Sequence, residues 1–319
     1  MSLSRRRLLA GTAAFAACAG PLRAAAPLQA VASTGMIADI AQRLGGGTME
    51  VRALMGAGVD PHSYRQTRSD IVAMTRAGIV LANGLYLEAQ MEEFLDDLSR
   101  RVPVARVAEV LPRDLLMPYG DHADRFDPHV WMDPELWAMV AEGMAATLAA
   151  AHPDAAEAIG ANAGAVAGDL ARLSDYAAGV LGSVPGESRV LVTAHDAFGY
   201  LGRAFGMEVV GIQGISTESE AGLNRISELV DLLAERRIRA VFVESSVSDR
   251  NIRALVEGAA ARGHEVAVGG ELFSDAMGTP GSYEGTYLGM IDHNVTTIAR
   301  ALGGTAPERG MDGRLGGAS

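Results

Sequence analysis

From Pro134 to about Leu181 the chain is almost continuously helix-forming and alanine-rich, broken once at "AHPD" (151–154). The second part of this stretch, roughly 154–182, makes a helix about 40 Å long at the standard rise, longer than a small domain needs. On both sides of it short β-rich runs alternate with helical stretches. Before it come "LQAVAST" (28–34), "VRALM" (51–55), "GIVLANG" (78–84) and "VPVARVAE" (102–109). After it come "RVLVTAH" (189–195), "EVVGIQG" (208–214), "RAVFVES" (239–245) and "HEVAVGG" (264–270). The first run leads into "MIADIAQRLGG", where Ile37, Ile40 and Leu44 fall at helical spacing before the glycines. Strands alternating with helices argue for parallel sheets built from right-handed crossovers. The expected fold class is therefore α/β, with two four-strand halves and a long helix between them. We expect an N-terminal lobe over 27–153, the linking helix over 154–185 and a C-terminal lobe over 186–302. The final "GGTAPERGMDGRLGGAS" (303–319) is Gly-rich, lacks an apolar face and reads as a disordered tail.

The first 26 residues do not belong to this pattern. "SRRRLLAGTAAFAACAG" has a basic start (Arg5, Arg6, Arg7), an apolar alanine-rich centre and small residues where a signal peptidase cuts. It reads as an export leader, and Ser4-Arg5-Arg6-Arg7-Leu8-Leu9 matches the twin-arginine pattern. Small residues at Ala24-Ala25-Ala26 mark one cleavage point, although Pro27 follows, and cuts after Ala17 or Ala19 are alternatives. "FAAC" loosely resembles a lipoprotein box, so a lipid anchor through Cys18 is the second reading of this end. Cys18 is the chain's one cysteine. Without it the mature chain has no thiolate, so a metal site must use nitrogen and oxygen. Four of the 27 basic residues lie in the leader, which against 39 acids leaves a mature net charge of −16. An acidic chain of this kind argues against nucleic acid and against an anionic membrane face as partners. No "GxG" fragment has the strand–helix context of a nucleotide site, and no phosphate loop is present.

Three residues fall at or just past strand ends, where ligands bind in open α/β sheets, and are candidate partners for a fourth, His129 in a stiffened loop. His62 lies in "GAGVDPHSY" after the second strand. His129 lies in "DPHVWMDP", where Pro128 and Pro134 stiffen the backbone on both sides of one imidazole. His195 ends the run "VLVTAH", and Asp275 lies in "GGELFSDAMG" after the last strand. His62 and His129 come from the first half, His195 and Asp275 from the second. If the halves face each other, three imidazoles and one carboxylate converge in the cleft. That donor set suits Zn²⁺, is tolerable for Mn²⁺ or Fe²⁺ and is wrong for Ca²⁺ or Mg²⁺.

The paired "DPHSY" and "DPHVWMDP" loops, the "TAHDAFGYLGRAFGMEVVGIQGISTESEAG" stretch and the late "ELFSDAMG" loop resemble the metal-specific solute-binding proteins of ABC transporters, the zinc/manganese carriers of cluster A-I. The resemblance covers about 28–302. It implies two (β/α)4 lobes joined by a rigid long helix, and His62, His129, His195 and Asp275 as metal ligands, the aspartate often bidentate. The third ligand in this family is histidine or glutamate. His195 places the chain with the histidine type, and a neutral imidazole in place of a hard carboxylate favours zinc over manganese. Zinc-type members often carry a long His/Asp-rich loop before the second ligand. Here "MPYGDHADRFDPH" offers only His122 in addition. The resemblance further implies a periplasmic protein, likeness to a monomeric carrier, and delivery to a membrane permease, with a metallochaperone as a further candidate partner. The rival from another class is a periplasmic metal-dependent hydrolase with Asp275 as general base. A third reading is a surface lipoprotein with an incidental metal.

Other residues invite plainer readings. His152, His264 and His293 are expected to be structural, and His122 at most an exposed metal contact. Trp131 and Trp137 are read as packing residues that shield the site. Asp60, Asp127 and Asp196 either orient imidazole N–H groups or support turns. Glu244, at the end of "AVFVES", faces the same strand edge and either pairs with a cation or meets Arg250, the structural role being the expected one.

Overall fold

The computed structural model describes residues 26–120 and 122–316. The expected leader, its twin-arginine signal and Cys18 lie outside these residues. The first half runs β1 (Leu28–Ala32), α1 (Gly35–Gly45), β2 (Met49–Ala53), α2 (Arg68–Arg76), β3 (Ile79–Ala82), α3 (Glu92–Ser99) and β4 (Val104–Arg106). Its sheet is parallel throughout, in the order β2-β1-β3-β4. Strand β3, "IVLA", is buried along its whole length, as a central parallel strand covered on both faces must be. Helix α2 starts where the sequence supplies a reciprocal cap: the Thr67 side chain accepts from the Asp70 N–H, and the Asp70 carboxylate accepts from the Thr67 N–H. The fourth strand is shorter than expected, because residues 107–110 turn into a 3-10 helix.

A hairpin follows where the sequence shows no strand pattern: β5 (Pro118–Tyr119) pairs antiparallel with β6 (His122–Phe126). The Asp133 side chain then caps α4 (Pro134–Ala151) by accepting from Glu135 N–H at 2.9 Å, with Pro134 in the first turn, where its missing N–H costs nothing. The "AHPD" break is real. Pro153 ends the run, and α5 (Ala156–Gly182) begins one turn later.

The second half runs β7 (Val190–Thr193), α6 (Gly199–Phe205), β8 (Glu208–Gly211), α7 (Leu223–Glu235), β9 (Ala240–Glu244), α8 (Arg250–Ala261), β10 (Ala267–Leu272) and α9 (Tyr287–Ala301). Its parallel ladders are β7–β8 and β9–β10, and the two pairs abut along β7 and β9. The resulting order, β8-β7-β9-β10, repeats that of the first half. Each half therefore has its strand order reversing between its first and third strands, and the crevice beyond those two strand ends is where such sheets bind ligands.

Helix α5 packs on α1 and α4 on one side and on α6 and α9 on the other. One apolar core runs through it, from Ile37, Ile40 and Leu81 of the first half to Leu191, Phe242 and Tyr287 of the second. Polar ties reinforce it: Arg43 of α1 pairs with Asp169, and Tyr176 hydroxyl meets Thr296 of α9 at 2.7 Å.

The C-terminal segment corrects one expectation. Residues 303–316 fold back on the protein rather than trailing from it: Leu315 is 4% exposed, and Met311 N–H donates to the buried Asp292 carboxylate at 3.0 Å. Leu315, the partly buried Met311 side chain and the Asp292 acceptor hold a stretch whose composition alone argues for disorder.

Candidate metal centre

All four expected residues meet in the crevice between the halves, and all are buried: His129 and His195 completely, Asp275 at 2% and His62 at 3% exposed. One ligand atom from each lies within 4.8 Å of the others. His62 Nε2 and His129 Nε2 are 3.2 Å apart. Asp275 Oδ1 stands 3.3 Å from His129 Nε2, and its Oδ2 stands 3.2 Å from His195 Nε2 and 3.8 Å from His62 Nε2. A tetrahedral ion bound at about 2.0–2.1 Å separates its donors by about 3.3 Å. The four donor contacts at 3.2–3.8 Å lie close to that separation.

Each imidazole is delivered differently. His62 sits on the loop after β2, where Asp60 Oδ1 accepts from the His62 backbone N–H at 2.9 Å and sets the turn. Asp127 accepts from both the backbone N–H (2.9 Å) and Nδ1 (2.7 Å) of His129, so it fixes loop and ring together. The Pro128 carbonyl between them accepts from Asn83 Nδ2 at 3.1 Å, which ties the loop to the end of β3. His195 leaves the end of β7, and Glu244 at the end of β9 takes its backbone N–H (2.9 Å) and its Nδ1–H (2.6 Å). Both carboxylates leave Nε2 as the free ring nitrogen, pointing inward. Glu244 was expected to pair with Arg250 and instead orients His195. Its role depends on β7 lying beside β9, which no local signal reveals. Asp127 orients a ring, Asp60 supports a turn, and Asp127 and Glu244, not Asp196, take the Nδ1 atoms of His129 and His195.

The electrostatics of the metal-free shell follow from burial set against neighbouring charge. Burial lowers His62 to about 4, aided by the other two imidazoles. Burial would also lower His129, but Asp127 and Asp275 outweigh it and raise the imidazole to about 9. Burial works the same way on His195, where Glu244 and Asp275 push it well above its ordinary value. Burial would raise Asp275, yet the surrounding imidazoles hold it well below the usual carboxylate range.

Trp131 packs against the site. Trp131 is 1% exposed, stands edge-on to the His129 ring at 5.2 Å between centroids and donates Nε1–H to the Ser274 carbonyl of the other half at 2.9 Å. Trp137 stacks on Tyr287. His264 and His293 each meet a backbone carbonyl at 2.8 Å, those of Ile238 and Glu271, in structural roles as expected. The side chain of His122 lies outside the described residues.

Residues 30–301 match the family described as ZnuA, zinc-uptake complex component A, periplasmic. The chain belongs to this family. Among ZnuA-family relatives it is 46% identical over 275 residues to the manganese-binding lipoprotein MntA of Bacillus subtilis, covering 86% of this chain and 90% of MntA. It is 42% identical over 272 residues to the zinc-binding protein TroA of Treponema pallidum, covering 85% and 88%. The solved structure of that periplasmic zinc-binding protein superposes with a TM-score of 0.84 over 86% of this chain and 99% of TroA. ZnuA-family proteins are the metal-binding, substrate-binding components of ABC transporters, and the two-lobed α/β fold is theirs.

Proposed function

We propose that the chain captures one divalent transition-metal ion outside the cytoplasm, zinc in preference to manganese, and hands it to an ABC permease. His62, His129, His195 and Asp275 are its ligands. The observation that carries this reading is the shell itself: three Nε2 atoms and one carboxylate, buried and within 4.8 Å of one another, drawn equally from both halves. Three imidazoles outrank manganese's preference for harder oxygen donors. Four protein donors close a tetrahedral zinc shell, whereas a hydrolytic zinc keeps one position for water. Capture and delivery therefore suit the geometry better than catalysis.

Manganese is the second reading, and two observations favour it. Asp275 presents both oxygens to the imidazoles, so it can supply a fifth donor, and the relative MntA is a manganese-binding lipoprotein. Competitive calorimetry on the metal-stripped mature protein separates the two. We expect one-to-one zinc binding that excess manganese does not displace, weakened by His195→Ala. Equal affinity for manganese would move the cargo to that ion, and no specific binding of either would sink the metal reading.

A further inference from the structure

His129 and His195 each have a carboxylate behind the ring, but the Asp275 carboxylate meets no hydrogen-bond donor among the described residues other than the ring nitrogens of the shell itself. The direction of that side chain is therefore set by its own loop, residues 273–286, and by whatever braces the loop. The near end is held by α9 and by the first half: Asn294 bonds both Phe273 N–H (2.9 Å) and the Phe273 carbonyl (2.7 Å), and Trp131 bonds the Ser274 carbonyl. The far end closes on itself, with Gly278 N–H donating to the Glu284 carbonyl at 2.8 Å.

That far end is gripped by the C-terminal segment. Gly316 N–H donates to Glu284 Oε1 at 3.0 Å, and the Arg314 guanidinium lies over the Tyr283 ring at 4.3 Å. The fully buried Asp292 carboxylate of α9 accepts from Tyr283 hydroxyl at 3.1 Å and from Met311 N–H at 3.0 Å, so one acceptor joins loop and segment. The turn that allows this needs a glycine. Gly310 has φ +72°, and a Cβ there would come 2.5 Å from both Asp292 oxygens. The other side of the segment is anchored on α5: Thr305 N–H donates to Ser183 Oγ at 2.7 Å, and Asp312 pairs with Arg172 at 3.4 Å. The family match stops at residue 301, so this segment lies beyond it.

We propose that residues 303–316 are a clasp that positions Asp275, running from the α5 spine to the far end of its loop and holding the carboxylate against the three imidazoles. The inference rests on Asp275 being a metal ligand. Arg314 and Gly310 are positioning residues in this scheme, acting through the loop and not on the ion.

The test is a double-mutant cycle on zinc release. Dissociation rates are measured by transfer to a chromogenic chelator for the native chain, a chain ending at Gly304, Asp275→Ala, and the two changes combined. Truncation is expected to speed release about tenfold when Asp275 is present, as loss of outer support for a ligand does. In the Asp275→Ala background it is expected to change nothing beyond twofold, since the two act through one contact. A merely structural segment would give the same acceleration in both backgrounds, and that result, or an unchanged rate, overturns the clasp. If the truncated chain lacks a native near-ultraviolet circular dichroism spectrum, Gly310→Ala and Arg314→Ala carry the same cycle without a deletion. Failure of the native chain to bind zinc counts against the metal reading itself, whereas binding without coupling overturns the clasp alone.

Discussion

Glu244 shows how much of this site depends on residues that never touch the ion. Its two oxygens take the backbone N–H and the ring Nδ1–H of His195, and it is 3% exposed. Replacing it by glutamine keeps the shape and removes the charge that makes the imidazole a stronger donor. Glu244→Gln should weaken zinc binding by roughly 10–100-fold, the usual cost of losing such support. Calorimetry against the native chain checks this, with an unchanged affinity showing that the charge is idle. The same carboxylates couple binding to protons. In the metal-free site His129 holds its second proton up to about pH 9, and His195 is also raised, while His62 at about 4 has none to lose near neutrality. A metal takes Nε2 only from neutral imidazoles, so two protons leave per ion and apparent affinity falls as pH falls from 8 to 6, by roughly a hundredfold per unit. Calorimetry in buffers of different ionisation enthalpy counts them, and zero released protons would contradict the charged shell. At this scale the sequence was readable where chemistry is local. Three of the four converging residues end or follow a strand legible in the sequence, and His62 and His129 each sit on an Asp-Pro turn. Glu244 was not readable, because its partner lies 49 positions away and is reached only through sheet order.

Among the elements, α4 and α5 were the most legible, since an 18-residue and a 27-residue helix with a proline between them leave few alternatives. The β5–β6 hairpin was hidden because strands of two and five residues carry no alternation long enough to see. The C-terminal segment was misread because its order comes from partners elsewhere: the Asp292 carboxylate and the Ser183 hydroxyl are supplied by α9 and by the end of α5. Composition reports what a segment can bury on its own, not what waits to receive it. Helix α5 also carries interior glycines at 164 and 168 that face solvent, with no atom near where a Cβ would stand. Alanine there removes backbone freedom from the unfolded chain without a clash. Gly164→Ala and Gly168→Ala should each stabilise the protein by about 0.5–1 kcal/mol. Denaturant titration tests this, and a lower midpoint would mean that α5 needs its glycines for bending.

For the whole molecule, the halves are joined by more than the spine. Thr217 of the second half donates to Asp60 Oδ2 at 2.7 Å, and that carboxylate also sets the His62 turn. Gln90 reaches Glu218 at 2.6 Å, and Tyr200 hydroxyl donates to the Asp127 carbonyl at 2.9 Å. With one core running through α5 as well, large hinge opening would break many contacts at once. An ion held as proposed by side chains of both halves binds only the folded state, and so would stabilise it by about 2.7 kcal/mol at a hundredfold excess over its dissociation constant. For a chain of this size each kcal/mol moves the melting midpoint by about 2–4 °C. Zinc should therefore raise it by roughly 5–10 °C over the chelator-treated protein in scanning calorimetry. An unchanged midpoint would count against a ligand shell shared between the halves.

The near-complete burial of the four ligand side chains also says something about theft. A competing binder cannot touch an ion whose every donor is covered, so it must wait for the carrier to open. The rate at which zinc is stripped should then level off as chelator is added, becoming indifferent to how much is present or how tightly it binds. A loaded carrier can cross a compartment full of stronger competitors and still arrive with its cargo, because what guards the ion is the infrequency of opening rather than the depth of the well. Whatever receives the metal needs no higher affinity, only the ability to open the door.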